Sequence, residues 1–169
     1  MEVEDAIRSR RTHKAFAPDP VPRALLDELL ELARWAPNHH LTNPWRFRVL
    51  GTNSLAALKV AAGPENAAKL DRAPTLVAAT SVRNEDPVQD EEDLCATASA
   101  TYAVLLAAHG RGLAGYWRTP GVLRTEEGLR ALGIGPDERF VALIHLGWPR
   151  QQKEPPERAP RESVVTYLG

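Results

Sequence analysis

The apolar positions of this chain recur with two periods, one helical and one extended. From Pro22 to about Ala36, Leu25, Leu29 and Ala33 fall on one face with Leu26 and Leu30 beside them, the spacing of an amphipathic helix. Pro22 suits its first turn, where a missing N–H costs nothing, and Pro37 stops it. Val3–Arg10 predicts a short helix before it. Between Trp45 and Leu50 the period changes to two: Trp45, Phe47 and Val49 alternate with Arg46 and Arg48, the pattern of a half-buried strand. Ser54 predicts a helix cap with the helix running through Ala62, and a further helical piece spans Glu65 to Arg72. Thr75–Val82 is continuously apolar or small, as in a strand covered on both sides. Leu94–His109 is alanine-rich and apolar nearly all round, so its helix is buried by its own domain or by another chain. Ala114–Arg118 and Phe140–Leu146 read as strands, with a helix from Glu126 to Leu132 between them. From Trp148, four prolines (Pro149, Pro155, Pro156, Pro160) predict an extended arm over 148–169 that ends in a β-prone piece, Val164–Leu168.

Helices and strands interleave without an internal repeat, which places the chain in the α+β or α/β class. Its 169 residues make one domain, 1–169, with room for a sizeable core. A formal net charge of -1 disfavours a general nucleic-acid binder. No apolar run reaches membrane-spanning length. The acidic start Met1–Asp5 lacks the order of a signal peptide, and the single cysteine, Cys95, excludes an intramolecular disulfide. These features favour a cytoplasmic protein.

Against that near-neutral background, Arg8, Arg10, Arg11, His13 and Lys14 crowd five basic or histidine side chains into seven residues. Arginine makes forked bonds to phosphate, and Thr12 adds a hydroxyl. An anion site and plain surface charge at a helix end both account for the cluster; Arg118 is a candidate second cation. Other motifs fare worse. Gly110-Arg111-Gly112-Leu113-Ala114-Gly115 matches G-x-G-x-x-G, but it follows a helix and precedes a strand, the reverse of the dinucleotide fingerprint, and reads as a helix stop. His39-His40 lacks the spacing and acidic companions of a metal site. Cys95 is expected to be a buried, inert thiol, and Asp86–Asp93 a solvated surface.

Arg10-Arg11-Thr12-His13-Lys14-Ala15-Phe16 resembles the opening R-R-[ST]-x-[RK]-x-F motif of the FMN-dependent nitroreductase family. Ala36-Pro37 through Asn43-Pro44-Trp45-Arg46-Phe47 is similar to that family's A-P-s-x-x-N-x-Q-P-W-x-F segment, with Asn43 where glutamine is usual. Ala73-Pro74, Gly112–Arg118, Ile134–Glu138 and Leu146-Gly147-Trp148-Pro149 continue the likeness in the same order over nearly the whole chain. The length and Trp117-Arg118-Thr119 resemble the short, minimal members.

The resemblance implies an α+β fold with a central, mostly antiparallel sheet flanked by helices, a long central helix, and a C-terminal extension exchanged in an intertwined homodimer. It implies FMN between the two chains, NADH or NADPH as donor, and ping-pong reduction of a nitroaromatic, a quinone or a similar acceptor. Arg10, Arg11 and Thr12 would hold the phosphate and ribityl chain, and Lys14 would stand near the flavin ring and stabilise its reduced form. His39 would reach FMN, from the other subunit, and Trp117, Arg118 and Thr119 would complete the contacts. Arg8 and His13 then revert to surface or helix roles. Trp35 stands where related short members carry arginine, and would pack on the flavin edge or fill core. No side chain is implied as acid or base, and the short chain implies an open cleft with loose acceptor choice. A non-catalytic flavin carrier, or another flavin reaction on the same fold, such as dehalogenation, dehydrogenation or flavin breakdown, is the alternative. The physiological acceptor, the choice of nicotinamide and one- versus two-electron chemistry have no sequence signal.

Overall fold

A computed structural model describes residues 1–169. Four strands, β1 (Trp45–Val49), β2 (Thr75–Val82), β3 (Ala114–Arg118) and β4 (Glu138–Gly147), form one sheet in the order β1-β2-β4-β3. All three pairings are antiparallel. The helices are α1 (Val3–Ser9), α2 (Arg23–Ala33), α3 (Thr52–Ala62), α4 (Pro64–Ala67), α5 (Pro87–Gly110) and α6 (Glu126–Ala131).

The sheet is the middle of three layers. On one face, Leu26, Leu29 and Ala33 of α2 and Ala96, Ala100, Val104 and Ala108 of α5 pack against Trp45, Val77, Ala79 and Ile144. On the other, Leu58 of α3 and the Leu123–Ile134 region meet Leu76, Ala78 and Leu143. Strand alternation produces this division, since neighbours such as Val77 and Ala78 point to opposite faces. β2 lies between β1 and β4 and is buried from Thr75 to Ser81, as its continuous apolar run predicts. β1 is an edge strand, and its expected alternation fades at its end: Val49 is exposed, whereas Arg48 is half-buried. Arg48 reaches across β2 to form a forked ion pair with Glu138 of β4 (2.7 and 2.5 Å). One extra β4 residue, Val141, lies between the partners of Ala79 and Thr80, and Thr80 Oγ1 donates to Glu138 beside this bulge.

Two sequence expectations shift at helix starts. Ser54 lies at the third position of α3 rather than at its cap: the helix begins at Thr52, and Ser54 Oγ accepts from the Gly51 N–H (3.0 Å). α5 begins seven residues before the apolar run, at Pro87, because Asp86 caps it through Val88 N–H (2.9 Å). It ends where the glycine run begins. Leu113 N–H returns to the Ala108 carbonyl, Gly112 N–H returns to the His109 carbonyl, and Gly112 has φ 77°. This is a Schellman stop.

Three expectations of exposure or pairing are overturned. Asp86–Asp93 is not a solvated surface throughout: Asp86 caps α5, and Asp93 turns inward and is buried. Cys95 is exposed: it lies in the row of α5 with Ser99 and Tyr102, turned away from the buried row of Ala96, Ala100 and Val104. Val164–Leu168 forms no strand, and residues 151–169 are exposed throughout. A β-prone segment without a free sheet edge in reach has nothing to pair with.

Candidate functional site

The segment after α1 runs along the outer edge of β3. Thr12 bridges to Gly115 in parallel, His13 N–H donates to the Gly115 carbonyl (3.2 Å), and Phe16 bridges to Pro149. This backbone path converts a linear cationic cluster into one wall of a cleft of about 840 Å³. Arg8, Arg10 and Arg11 line it from one side, and Lys153 and Arg158 line it from the C-terminal arm. Asp5 is the one acid among the lining residues.

Arg10 carries the decisive feature. Its guanidinium lies 5.7 Å from the centre of the Tyr102 ring on α5, and its Nε is buried with no acceptor. A buried charged donor without a partner is expensive, and an anion in the cleft would relieve that cost. Arg11 is occupied differently: its Nη1 donates to the Arg8 and Arg10 carbonyls (2.6 and 2.7 Å) and its Nε to the Glu154 carbonyl (3.3 Å). It therefore fixes the turn and ties down the arm. Lys153 Nζ donates to the Thr12 carbonyl (2.7 Å). Thr12 and Lys14 are exposed beside this edge.

Two histidines lie near the cationic residues of the cleft. His13 is buried, which overturns its expected surface or helix role, since its main chain extends the edge of β3. Burial, then the charges of Lys153 and His109, hold its imidazole below the ordinary value. Burial, then Arg10 and Arg11, do the same to His109. Ser9 Oγ donates to the Asp5 carbonyl (2.5 Å) and so must accept from His109 Nε2 (2.7 Å), which fixes that tautomer.

The other site residues divide. Trp117 packs against the α2–α5 core, whereas Arg118 extends from the opposite face and donates to the Lys69 carbonyl (3.0 Å). The second cation in the cleft is therefore Lys153, not Arg118. Arg8, set aside on resemblance, also lines the cleft. Thr119 follows β3 and is exposed. His39 stands away from the cleft on a short 3₁₀ turn, His39–Leu41, and pairs through Nδ1 with Glu92 (2.6 Å). Trp35 is 81% exposed, which excludes core filling; it borders a groove of about 510 Å³ with Pro37, Asn38 and Leu41. No cluster of three potential metal ligands exists, and no helix is long and apolar enough to cross a membrane.

Sequence reasoning missed Lys153 and Arg158 because about 140 residues separate them from Arg10. The orientation of Arg118 had a signal: in a strand, a packed Trp117 sends its neighbour to the other face.

The model of the nitroreductase family matches residues 7–148. The chain belongs to the nitroreductase family. A Bacillus subtilis relative provisionally named NAD(P)H nitroreductase YfhC is 30% identical over 182 residues, covering 98% of this chain and 94% of its own. The crystal structure of a nitroreductase-like family protein from Bacillus cereus superposes with a TM-score of 0.90 at 24% identity, covering 99% of this chain and 96% of that one. A provisionally named nitroreductase from Desulfovibrio desulfuricans, solved in complex with FMN, gives 0.82 at 25% identity, with 99% and 96% covered. The three-layer antiparallel architecture is thus that of the nitroreductases.

Proposed function

We propose that this nitroreductase-family chain is an FMN-dependent oxidoreductase that carries electrons from NADH or NADPH to nitroaromatic, quinone or similar acceptors by a ping-pong mechanism, working as a homodimer with FMN between its chains. The observation that carries this reading is the buried, partnerless Nε of Arg10 in a cleft lined by four further cations. Relatives named as NAD(P)H nitroreductases and an FMN-complexed structure of the same fold support it. Bound FMN supplies reversible hydride acceptance at its N5.

Arg10, Arg8, Lys153 and Arg158 neutralise the phosphate, and Arg11 holds the turn that presents them. Thr12 offers a hydroxyl at the same edge, and Lys14, two residues on, places positive charge toward the ring. Trp117, Arg118 and Thr119 contact the flavin beyond the phosphate cleft; with the Arg118 side chain committed to Lys69, that residue contributes its main chain. His39 serves the cleft of the second copy. The exposed row of α5 and the exposed arm are the surfaces left for that copy. No side chain of the chain is required as acid or base.

The absorbance spectrum of the purified protein tests the core claim. A yellow protein that releases FMN on denaturation and bleaches rapidly with NADH or NADPH under anaerobic conditions is expected. A colourless protein that also fails to take up added FMN overturns the reading, and bound flavin that nicotinamides leave oxidised makes the chain a carrier or sensor.

A further inference from the structure

The loop Asn38–Asn43 is held in a conformation its residue types do not favour. His40, Leu41 and Asn43 all have positive φ (54°, 52° and 48°), a region that side-chain-bearing residues seldom adopt. α5 supplies much of what fixes it. Thr42 Oγ1 donates to Oδ1 of Asp93 (2.6 Å), an acid 3% exposed that also accepts from Gln89 Nε2 (3.0 Å). One residue earlier on α5, Glu92 Oε2 lies 2.6 Å from His39 Nδ1. Within the loop, Asn43 N–H donates to Asn38 Oδ1 (2.9 Å).

The two acids differ in kind. Asp93 is buried and anchors the loop. Glu92 and His39 keep 42% and 57% of their side chains exposed, and exposed pairs of that sort contribute little to stability. Their contact does something else. A carboxylate that accepts from Nδ1–H fixes the ring plane and turns Nε2 outward, away from α5. His39 Nε2 has no partner within the chain.

We propose that Glu92 is a positioning residue, which sets the ring orientation of His39 so that its Nε2 meets the flavin in the second copy's cleft. This rests on the reading that His39 reaches that flavin. Asp93 fixes the loop backbone, and Glu92 aims the ring; the strain of the loop is tolerated because both contacts oppose its relaxation.

Glu92→Ala, Glu92→Gln, His39→Ala and the double variant Glu92→Ala/His39→Ala are made in the full chain, and FMN affinity is measured by titrating the apoprotein with FMN, alongside thermal midpoints. Glu92→Ala is expected to weaken FMN binding roughly 5- to 20-fold, nearly as much as His39→Ala, with an unchanged thermal midpoint. The double variant should be no weaker than His39→Ala, and Glu92→Gln, which keeps an acceptor for Nδ1–H, should recover most of the loss. Additive losses, or wild-type affinity in Glu92→Ala beside a weakened His39→Ala, overturn the positioning role while leaving the flavin site intact. Wild-type affinity in His39→Ala overturns both the role and the contact on which it rests.

Discussion

At the scale of single residues, unsatisfied polar groups identify the positions that matter. Arg10 Nε and the two ring nitrogens of His145 are buried without hydrogen-bond partners, but their settings differ. Arg10 faces an open cleft that an anion can enter. Arg10→Ala should lower FMN affinity roughly 10- to 100-fold, equivalent to about 1.5–3 kcal/mol for a charged contact; unchanged affinity in a fluorescence titration would move the phosphate elsewhere. His145 is wholly enclosed, with the Tyr116 ring centre 5.6 Å away. Burial, then the charges of Arg118 and Arg72, push its pKa down to about 4. The unfolded chain takes up this proton near an ordinary pKa of about 6.5, so the neutral histidine stabilises the fold above that pH. That stability is lost as pH falls toward 4, by roughly 3 kcal/mol in all. His145→Leu should therefore unfold in urea with a weaker dependence on pH between 6.5 and 4 than wild type. Parallel pH profiles would show that His145 does not contribute.

At the scale of elements, Arg48 and Glu138, two strands apart, tie β1 to β4 across β2. Arg48 first, then Thr80, hydrogen-bonds the Glu138 carboxyl and holds it below its ordinary pKa against the effect of burial. A depressed carboxylate stabilises the fold above its unfolded pKa, and this is lost as pH falls through the folded value. Glu138→Gln should cost about 1.5–3 kcal/mol at pH 7, and the gap from wild type in urea unfolding should close below about pH 4. A gap that persists in acid would mean that packing, not charge, is lost. Elements of this kind were largely legible in the sequence: β2 and β3 occupy the ranges predicted for them, and for β2 burial on both faces leaves little freedom. Helix ends were less so, since Gly51 and Asp86 act through local bonds between side chain and backbone that hydrophobic periodicity does not register. Cys95 was misplaced because an alanine-rich helix carries almost no contrast between its faces. In the site, Arg10 and its neighbours were legible as a local cluster. Lys153 and Arg158 were not, because only the fold brings the arm back to α1.

At the scale of the whole molecule, the row of α5 through Cys95, Ser99 and Tyr102 and the arm are among the surfaces the chain leaves uncovered. Val164, Tyr167 and Leu168 are 75%, 83% and 91% exposed, unusual for apolar side chains clustered within five residues. The arm's inner part is already committed, since Arg11 holds Glu154 and Lys153 holds Thr12. Its outer part has no partner of its own, and a second copy of the same chain, the homodimer proposed above, provides one. Burying each such side chain contributes about 1.5–3 kcal/mol, and a dimer exchanges two arms. Removing residues 161–169 should therefore raise the dimer dissociation constant by at least roughly 100-fold, read by sedimentation at micromolar concentrations. The truncated chain keeps Lys153 and Arg158, so its own phosphate contacts survive. FMN affinity should still fall with protein concentration as the dimer separates and His39 of the second copy is withdrawn. A truncated chain that remains dimeric with wild-type FMN affinity would show that α5, rather than the arm, holds the two copies together.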